Sequence, residues 1–156
     1  MIEIIRVEPR QVVGIKVSAP AEQLCAALHQ AWLILRERAQ EIPHRVNDHF
    51  IDLSLGYRNG IHTRIIGTEV SAICHVPEGM TVLQVPHQTC LHCRHDGPVE
   101  EIASSFGAIY QWARTNGVVA EEFKIDEGYT LDAREAHHEL YVRVIPRIPA
   151  VVVAGA

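Results

Sequence analysis

The chain is short of what several large functional classes require. It has no apolar run long enough to cross a bilayer: the start, "MIEIIRVEPR", carries an acid at its third position, and the apolar end, "PAVVVAGA", falls far below the ~20 residues of a membrane helix. Neither a secretory leader nor an anchor is expected, and the expectation is a cytoplasmic protein with no membrane role. Positive charge is scarce and scattered. With 14 Lys and Arg against 19 Asp and Glu, a formal charge of −5 and no basic cluster larger than "RER" at Arg36–Arg38, direct nucleic-acid binding has no source of phosphate neutralisation. Four cysteines (Cys25, Cys74, Cys90, Cys93) are not needed to staple a chain of 156 residues, which can bury a core unaided, and a cytoplasmic protein keeps them reduced. Glycine-rich phosphate loops, P-loops and nucleophile elbows are missing. "HHE", His137–Glu139, lacks the i, i+4 histidine pair of a zinc-protease helix. No cofactor is expected.

What remains is an ordinary globular composition, 47% hydrophobic and 21% charged, which points to one domain over residues 1–156. Its main feature is self-similarity. At an offset of 78 residues, "VEPRQVVGIKVSAPAEQLCAALHQAWLILR" from Val7 lies over "VPHQTCLHCRHDGPVEEIASSFGAIYQWAR" from Val85 without a gap, matching Pro20 to Pro98, Glu22 to Glu100 and Arg36 to Arg114. Each proline opens a helix, followed by a first-turn acid that favours the positive end of the helix dipole. Leu24, Leu28, Ala31 and Leu35 recur at helical spacing, and Ile102, Phe106, Ile109 and Ala113 repeat it. The first helix should end before Pro43 and the second near Gly117, a natural left-handed cap.

A strand precedes each helix ("RQVVGIKVS", "QTCLHCRH") and two follow it: "FIDLSLGYR" and "GTEVSAICHV" around an "RNG" turn, then "FKIDEGYTLD" and "HELYVRVIP". The reading is a duplicated βαββ unit, about 1–79 and 80–149. It predicts an α+β fold with pseudo-twofold symmetry, an antiparallel sheet carrying two main helices on one side, and a ligand groove between the halves.

"HQTCLHCRHDGP", His87–Pro98, concentrates histidine and cysteine, which raises metal and redox chemistry. Strand alternation sends Thr89, Leu91, Cys93 and His95 one way and Cys90, His92 and Arg94 the other, so Cys90 and Cys93 cannot share an ion. A redox Cys-x-x-Cys needs a helix N-terminus at the thiol, and covalent haem attachment needs histidine where Arg94 stands. The repeat equivalents, Val12, Val13, Ile15 and Val17, are plain core residues, so the expectation is a strand whose cysteines act as small hydrophobes. A pair such as Cys93 and His95 joined by His75, His137 or His138 keeps metal binding as an alternative.

The run from Val85 to Gly117, then "FKID" and "ELYVRVIP", resembles the GyrI-like small-molecule-binding domain. That module is the effector-binding part of some AraC- and MerR-type regulators, has a fold like that of SOUL-type haem proteins, and also occurs alone. The resemblance rests on His95, Gly97 and Pro98 at the helix start, "IYQW" at Ile109–Trp112 and "ELYV" at Glu139–Val142. It implies a cavity for bulky aromatic or cationic molecules, faced by an acid on the last strand, where Glu139 stands. Two departures, Lys124 in place of an acid in "FKID" and Arg143 in "VRVIPR", bear on the ligand's charge.

Candidate ligand-binding residues are therefore Glu139 as counter-charge and Tyr141 beside it, since Leu140, Val142 and Val144 occupy the face suited to the helices. Tyr110, Trp112, Trp32 and Tyr57 are candidate aromatic walls, against plain core packing or hairpin capping. His95 is a candidate donor at the helix start, against a structural role beside Gly97. The leading functional expectation is a stand-alone protein that senses or sequesters a small molecule. The alternatives are a hydrolase of reactive natural products with Glu139 as general base, a haem or metal binder, and an acidic module acting on a regulator or other protein partner.

Overall fold

A computed structural model describes residues 1–132 and 137–146. Among them the elements run β1 (Ile2–Val7), β2 (Arg10–Pro20), α1 (Ala21–Arg38), β3 (Phe50–Arg58), β4 (Ile61–Val70), β5 (Thr81–Val85), β6 (Gln88–His95), α2 (Ile102–Thr115), β7 (Val119–Tyr129) and β8 (His138–Ile145). All strands pair antiparallel in one sheet of order β1-β6-β8-β7-β3-β4-β2-β5.

The order is the same from either edge once the corresponding strands of the two units are equated, β1 with β5, β2 with β6, β3 with β7 and β4 with β8. Each unit also carries a strand beyond the expected four elements, and that strand is exchanged: β1 completes the edge beside β6, and β5 the edge beside β2. The connectors explain the exchange. Glu8-Pro9 and Pro86-His87 are two residues long, and a two-residue hairpin needs positive φ at one or both positions, which proline and its neighbour do not supply. The chain crosses over instead of folding back.

This crossing forces curvature. In a flat sheet β1 and β2, six positions apart, would lie about 29 Å from each other at ~4.8 Å per strand, whereas two linking residues span about 11 Å at most. The sheet therefore curls at that end. Arg10 on β2 reaches Glu69 on β4 at 2.9 Å and Glu127 on β7 at 2.6 Å, the latter three strands away. The inside of the curl is filled without a helix: Val12, Ile51, Leu53, Ile65, Val85 and Ile125 are buried there with Phe123 and Tyr141.

Both helices pack on the outer face. α1 buries Ala31 and Leu35 against Val13, Val17, Phe50 and Ile66, and α2 buries Ile102, Ile109 and Ala113 against Leu91, Leu140 and Val142. A side chain as fully covered as Leu35 or Ile109 contributes about 2–3 kcal/mol. Pro20 and Pro98 cap the helices from an extended conformation (φ −67° and −64°) one step earlier than expected, because the strand or its connector runs straight to the helix and the missing N–H costs nothing at the cap. The first turn of the second helix, Val99–Glu101, is a 3-10 turn. Asn59 and Gly60, at φ 52° and 80°, make the β3–β4 hairpin, and Gly117 at φ 65° follows α2. The strand expected over "GTEVSAICHV" stops at Val70, where the Ser71 N–H turns to donate to the His44 carbonyl at 2.9 Å. No helix among the described residues is long and apolar enough to cross a membrane.

Gly14 on β2 faces Gly67 on β4, and a Cβ on Gly14 would lie 2.1 Å from the Ile66 carbonyl oxygen. Gly107, inside α2, has open space where a Cβ would go. Urea denaturation should show Gly14→Ala losing about 3 kcal/mol or more, and Gly107→Ala gaining about 0.5–1 kcal/mol from helix propensity. A tolerated Gly14→Ala would mean that this strand pair is not pinched.

Candidate functional site

The halves meet where β3 pairs with β7. There Asp52 lies opposite Asp126, and Ser54 opposite Lys124 on one side and Arg64 of β4 on the other. These residues point to the helix-bearing face, the same side as Phe50 and, through β8, Leu140. α1 packs over β2 and β4 and α2 over β6, β7 and β8, so the central pair lies beneath the gap between them. The gap holds two lobes of about 330 and 310 Å³ that share Ser54, Arg64 and Lys124. The first is bounded by Leu24, Tyr57, His62, Tyr110 and Glu122. The second is bounded by Asp52, Ile102, Ala103, Phe106, Asp126 and Tyr129.

The floor is charged. Arg64 Nη1 donates to Asp52 Oδ2 at 3.0 Å, while Asp52 Oδ1 is buried without a partner. Burial pushes the Asp52 carboxyl up to about 6, with Arg64 pulling the other way and Asp126 adding to the rise. Asp126 accepts the Tyr129 hydroxyl at 2.5 Å and is hydrogen-bonded to His138 Nδ1 at 2.7 Å; His138 is 1% exposed and its Nε2 has no partner. Burial, then the Asp126 charge, raises the Tyr129 hydroxyl far above its ordinary range. Lys124 Nζ lies 5.5 Å from the centre of the Phe106 ring and 5.7 Å from that of Tyr110. Burial and nearby Arg64 lower its pKa.

Of the sequence-derived candidates, Tyr57 and Tyr110 line the first lobe together. The Tyr110 hydroxyl donates to the Glu121 carbonyl at 2.8 Å, and the Tyr57 ring, 53% exposed, rests 4.6 Å from His62. Trp32 stacks 5.0 Å from Tyr129, so it backs the second lobe from α1. Trp112 packs into the core cluster beneath α2. His95 is buried, bonded through Nδ1 to Ser105 Oγ at 2.8 Å and through Nε2 to the Pro98 carbonyl at 2.9 Å, and so ties β6 to the start of α2.

Glu139 and Tyr141 are on the other face. The parity of β8 is as expected, with Leu140, Val142 and Val144 under α2, but the lobes lie on that helix side as well. Glu139, 28% exposed along its side chain, pairs with His92 Nε2 at 2.5 Å and His137 Nε2 at 3.4 Å. The Tyr141 ring lies 5.0 Å from that of His92. Cys90 is buried on the His92 side of β6 and Cys93 on the α2 side. Among the described residues no three His, Cys, Asp or Glu side chains converge on a point that could hold a metal ion. Asp52, Arg64, Phe106 and Asp126 were not among the candidates. The signal for Asp52 and Asp126 is an acid recurring in the apolar stretches "FIDLSL" and "FKIDEG".

A family model described as GyrI-like small molecule binding domain matches residues 1–148. The solved structure of SAV2435 bound to tetraphenylphosphonium is similar to this chain with a TM-score of 0.71 at 10% identity, over 93% of this chain and 94% of that one. The C-terminal domain of EcmrR gives a TM-score of 0.70 at 14% identity over 94% of this chain and 98% of its own. A hydrolase from Listeria innocua gives 0.53 at 10% identity, covering 92% and 91%. Among curated proteins no sequence matches. At such identities the solved structures speak for the fold.

The Asp52 shift has a sign. A carboxyl whose folded pKa rises from 3.8 to about 6 holds its proton more tightly when folded. Its contribution to stability is complete below the unfolded value and is lost as pH rises through the folded one. Asp52→Asn, which mimics the protonated form, should raise stability at pH 7 by about 1–3 kcal/mol and flatten the pH dependence between about 4 and 6. Chemical denaturation across that window is the measurement, and a destabilised variant would count against the shift.

Proposed function

The chain belongs to the family of GyrI-like small molecule binding domains, and we propose that its ligand is a small aromatic molecule held in the groove between α1 and α2. The protein would act in the cytoplasm by sensing or sequestering that molecule. The observation that carries this reading is the pair of connected lobes above the central strands, walled by Tyr57, Tyr110 and Phe106 and floored by Asp52, Arg64 and Lys124. Aromatic walls supply apolar area and a face for ring stacking, and a few fixed polar groups on rigid strands orient the guest. The likeness to SAV2435, solved with tetraphenylphosphonium, supports an aromatic ligand.

Magnitudes limit what the walls do alone. Covering about 150 Å² of a ring at about 25 cal/mol per Å² yields roughly 4 kcal/mol, a millimolar dissociation constant. A second ring or a satisfied charge is needed to reach the micromolar range.

Calorimetric titration with 2-naphthamide tests the location. Tyr110→Ala should weaken binding at least five-fold, and Ser54→Trp, which fills the floor shared by the lobes, should abolish it. Glu139→Gln should stay within two-fold of the parent. A loss in Glu139→Gln as large as that in Tyr110→Ala would move the site to the opposite face.

A further inference from the structure

Within that groove, and resting on its being the binding site, we infer that the ligand carries a carboxylate and that Lys124 is its counter-ion. The charges around the groove divide into those with partners and those without. Asp52 accepts from Arg64 through Oδ2 while its Oδ1 stays without a partner, Asp126 is held by Tyr129 and His138, and Glu122 accepts the Tyr57 N–H at 3.0 Å. Glu121, whose backbone carbonyl anchors Tyr110, directs its carboxylate to Arg143. Lys124 has no hydrogen-bond or ion-pair partner among the described residues; its ammonium lies near the two aromatic faces of α2 and feels Asp52 and Glu122 only at a distance, through their charge.

The position of that ammonium favours an anionic guest. Lys124 lines both lobes, so a group bonded to its ammonium can belong to a ring placed in either one. Ser54, its direct cross-strand neighbour, and Arg64, the next residue in the same row, line both lobes too. Arg64 gives only Nη1 to Asp52, which leaves donors for the guest. A carboxylate takes two or more such charge-assisted bonds at once. The lobes carry acids as well as Lys124 and Arg64, but Asp52, Asp126, Glu121 and Glu122 each already accept a hydrogen bond, and Lys124 lies close to the Phe106 and Tyr110 faces that a ligand cation would take. The flanking rings then select a planar aromatic body for the acid.

Three probes with one skeleton separate this inference from the site itself: 2-naphthoate, 2-naphthamide and 2-naphthylmethylammonium, titrated at pH 7 and low salt. The parent should bind the naphthoate about ten-fold more tightly than the amide, and the ammonium most weakly. Lys124→Met should bring naphthoate down to the amide's affinity, and Lys124→Arg should retain the preference. A parent that binds the ammonium best, or a preference unchanged in Lys124→Met, would overturn the inference. If the amide binds and Ser54→Trp blocks it, yet naphthoate binds no better, the groove stands and the carboxylate does not. If none of the probes binds, or Ser54→Trp leaves all of them unaffected, both readings fall. The ranking in the parent needs no variant, so a misfolded substitution cannot hide the outcome.

Discussion

Two connectors of two residues each govern the shape of this molecule. Glu8-Pro9 and Pro86-His87 tie strands at opposite edges of an eight-stranded sheet, and no flat arrangement reconciles that linkage with the strand order. The sheet curls, its inner face fills with its own side chains, and both helices are left on the outside. A convex surface spreads what is laid on it. The two helices each follow their own half, and the central strands β3 and β7 lie under the space between them. The candidate site is thus a by-product of curvature, and its floor is made of residues that the pseudo-twofold arrangement brings together: an aspartate from each half, face to face.

The same geometry accounts for the two chemical characters of the sheet. Inside the curl, Glu69–Arg10–Glu127 and His92 with Glu139 pair with one another, while buried Gln88 on the same face of β6 has no partner for its amide. On the outside, the Asp52–Arg64 pair and the Asp126–His138–Tyr129 cluster are buried but leave atoms unsatisfied, Asp52 Oδ1 and His138 Nε2. Native folds keep few such atoms, and these two belong to the polar cluster on the groove floor. The departure of "FKID" from the family pattern falls on the same floor, at Lys124.

Much of the fold was legible from the chain. The 78-residue offset located both helices, strand alternation gave the face partition of β6 and β8, and "RNG" gave the Asn59-Gly60 hairpin, because each depends on local periodicity or on a φ that few residues adopt. The exchange of β1 and β5 was not legible: a short amphipathic strand does not encode which edge it will join, and the decisive signal was a pair of prolines in the connectors. The site was legible in part. Tyr57 and Tyr110 line a lobe, but parity states which residues share a face and is silent on which face holds a cavity, so Glu139, expected to face a groove, lies on the face opposite these two lobes. Asp52 and Asp126 announced themselves as acids in apolar strands, a signal whose weight appears only when the strands are set side by side.

The traded first strands carry one more implication. Neither unit owns a complete edge, since each borrows its outermost strand from the other half, and the borrowed strand is leashed by three covalent steps to its owner. The halves are clasped like two links of a chain, so prising apart the central β3–β7 seam does not free them. Widening between α1 and α2 can therefore be absorbed by a change in the sheet's bend, with both ends of the seam still fastened. The framework thus stays tied at both edges whatever the spacing of its two helices.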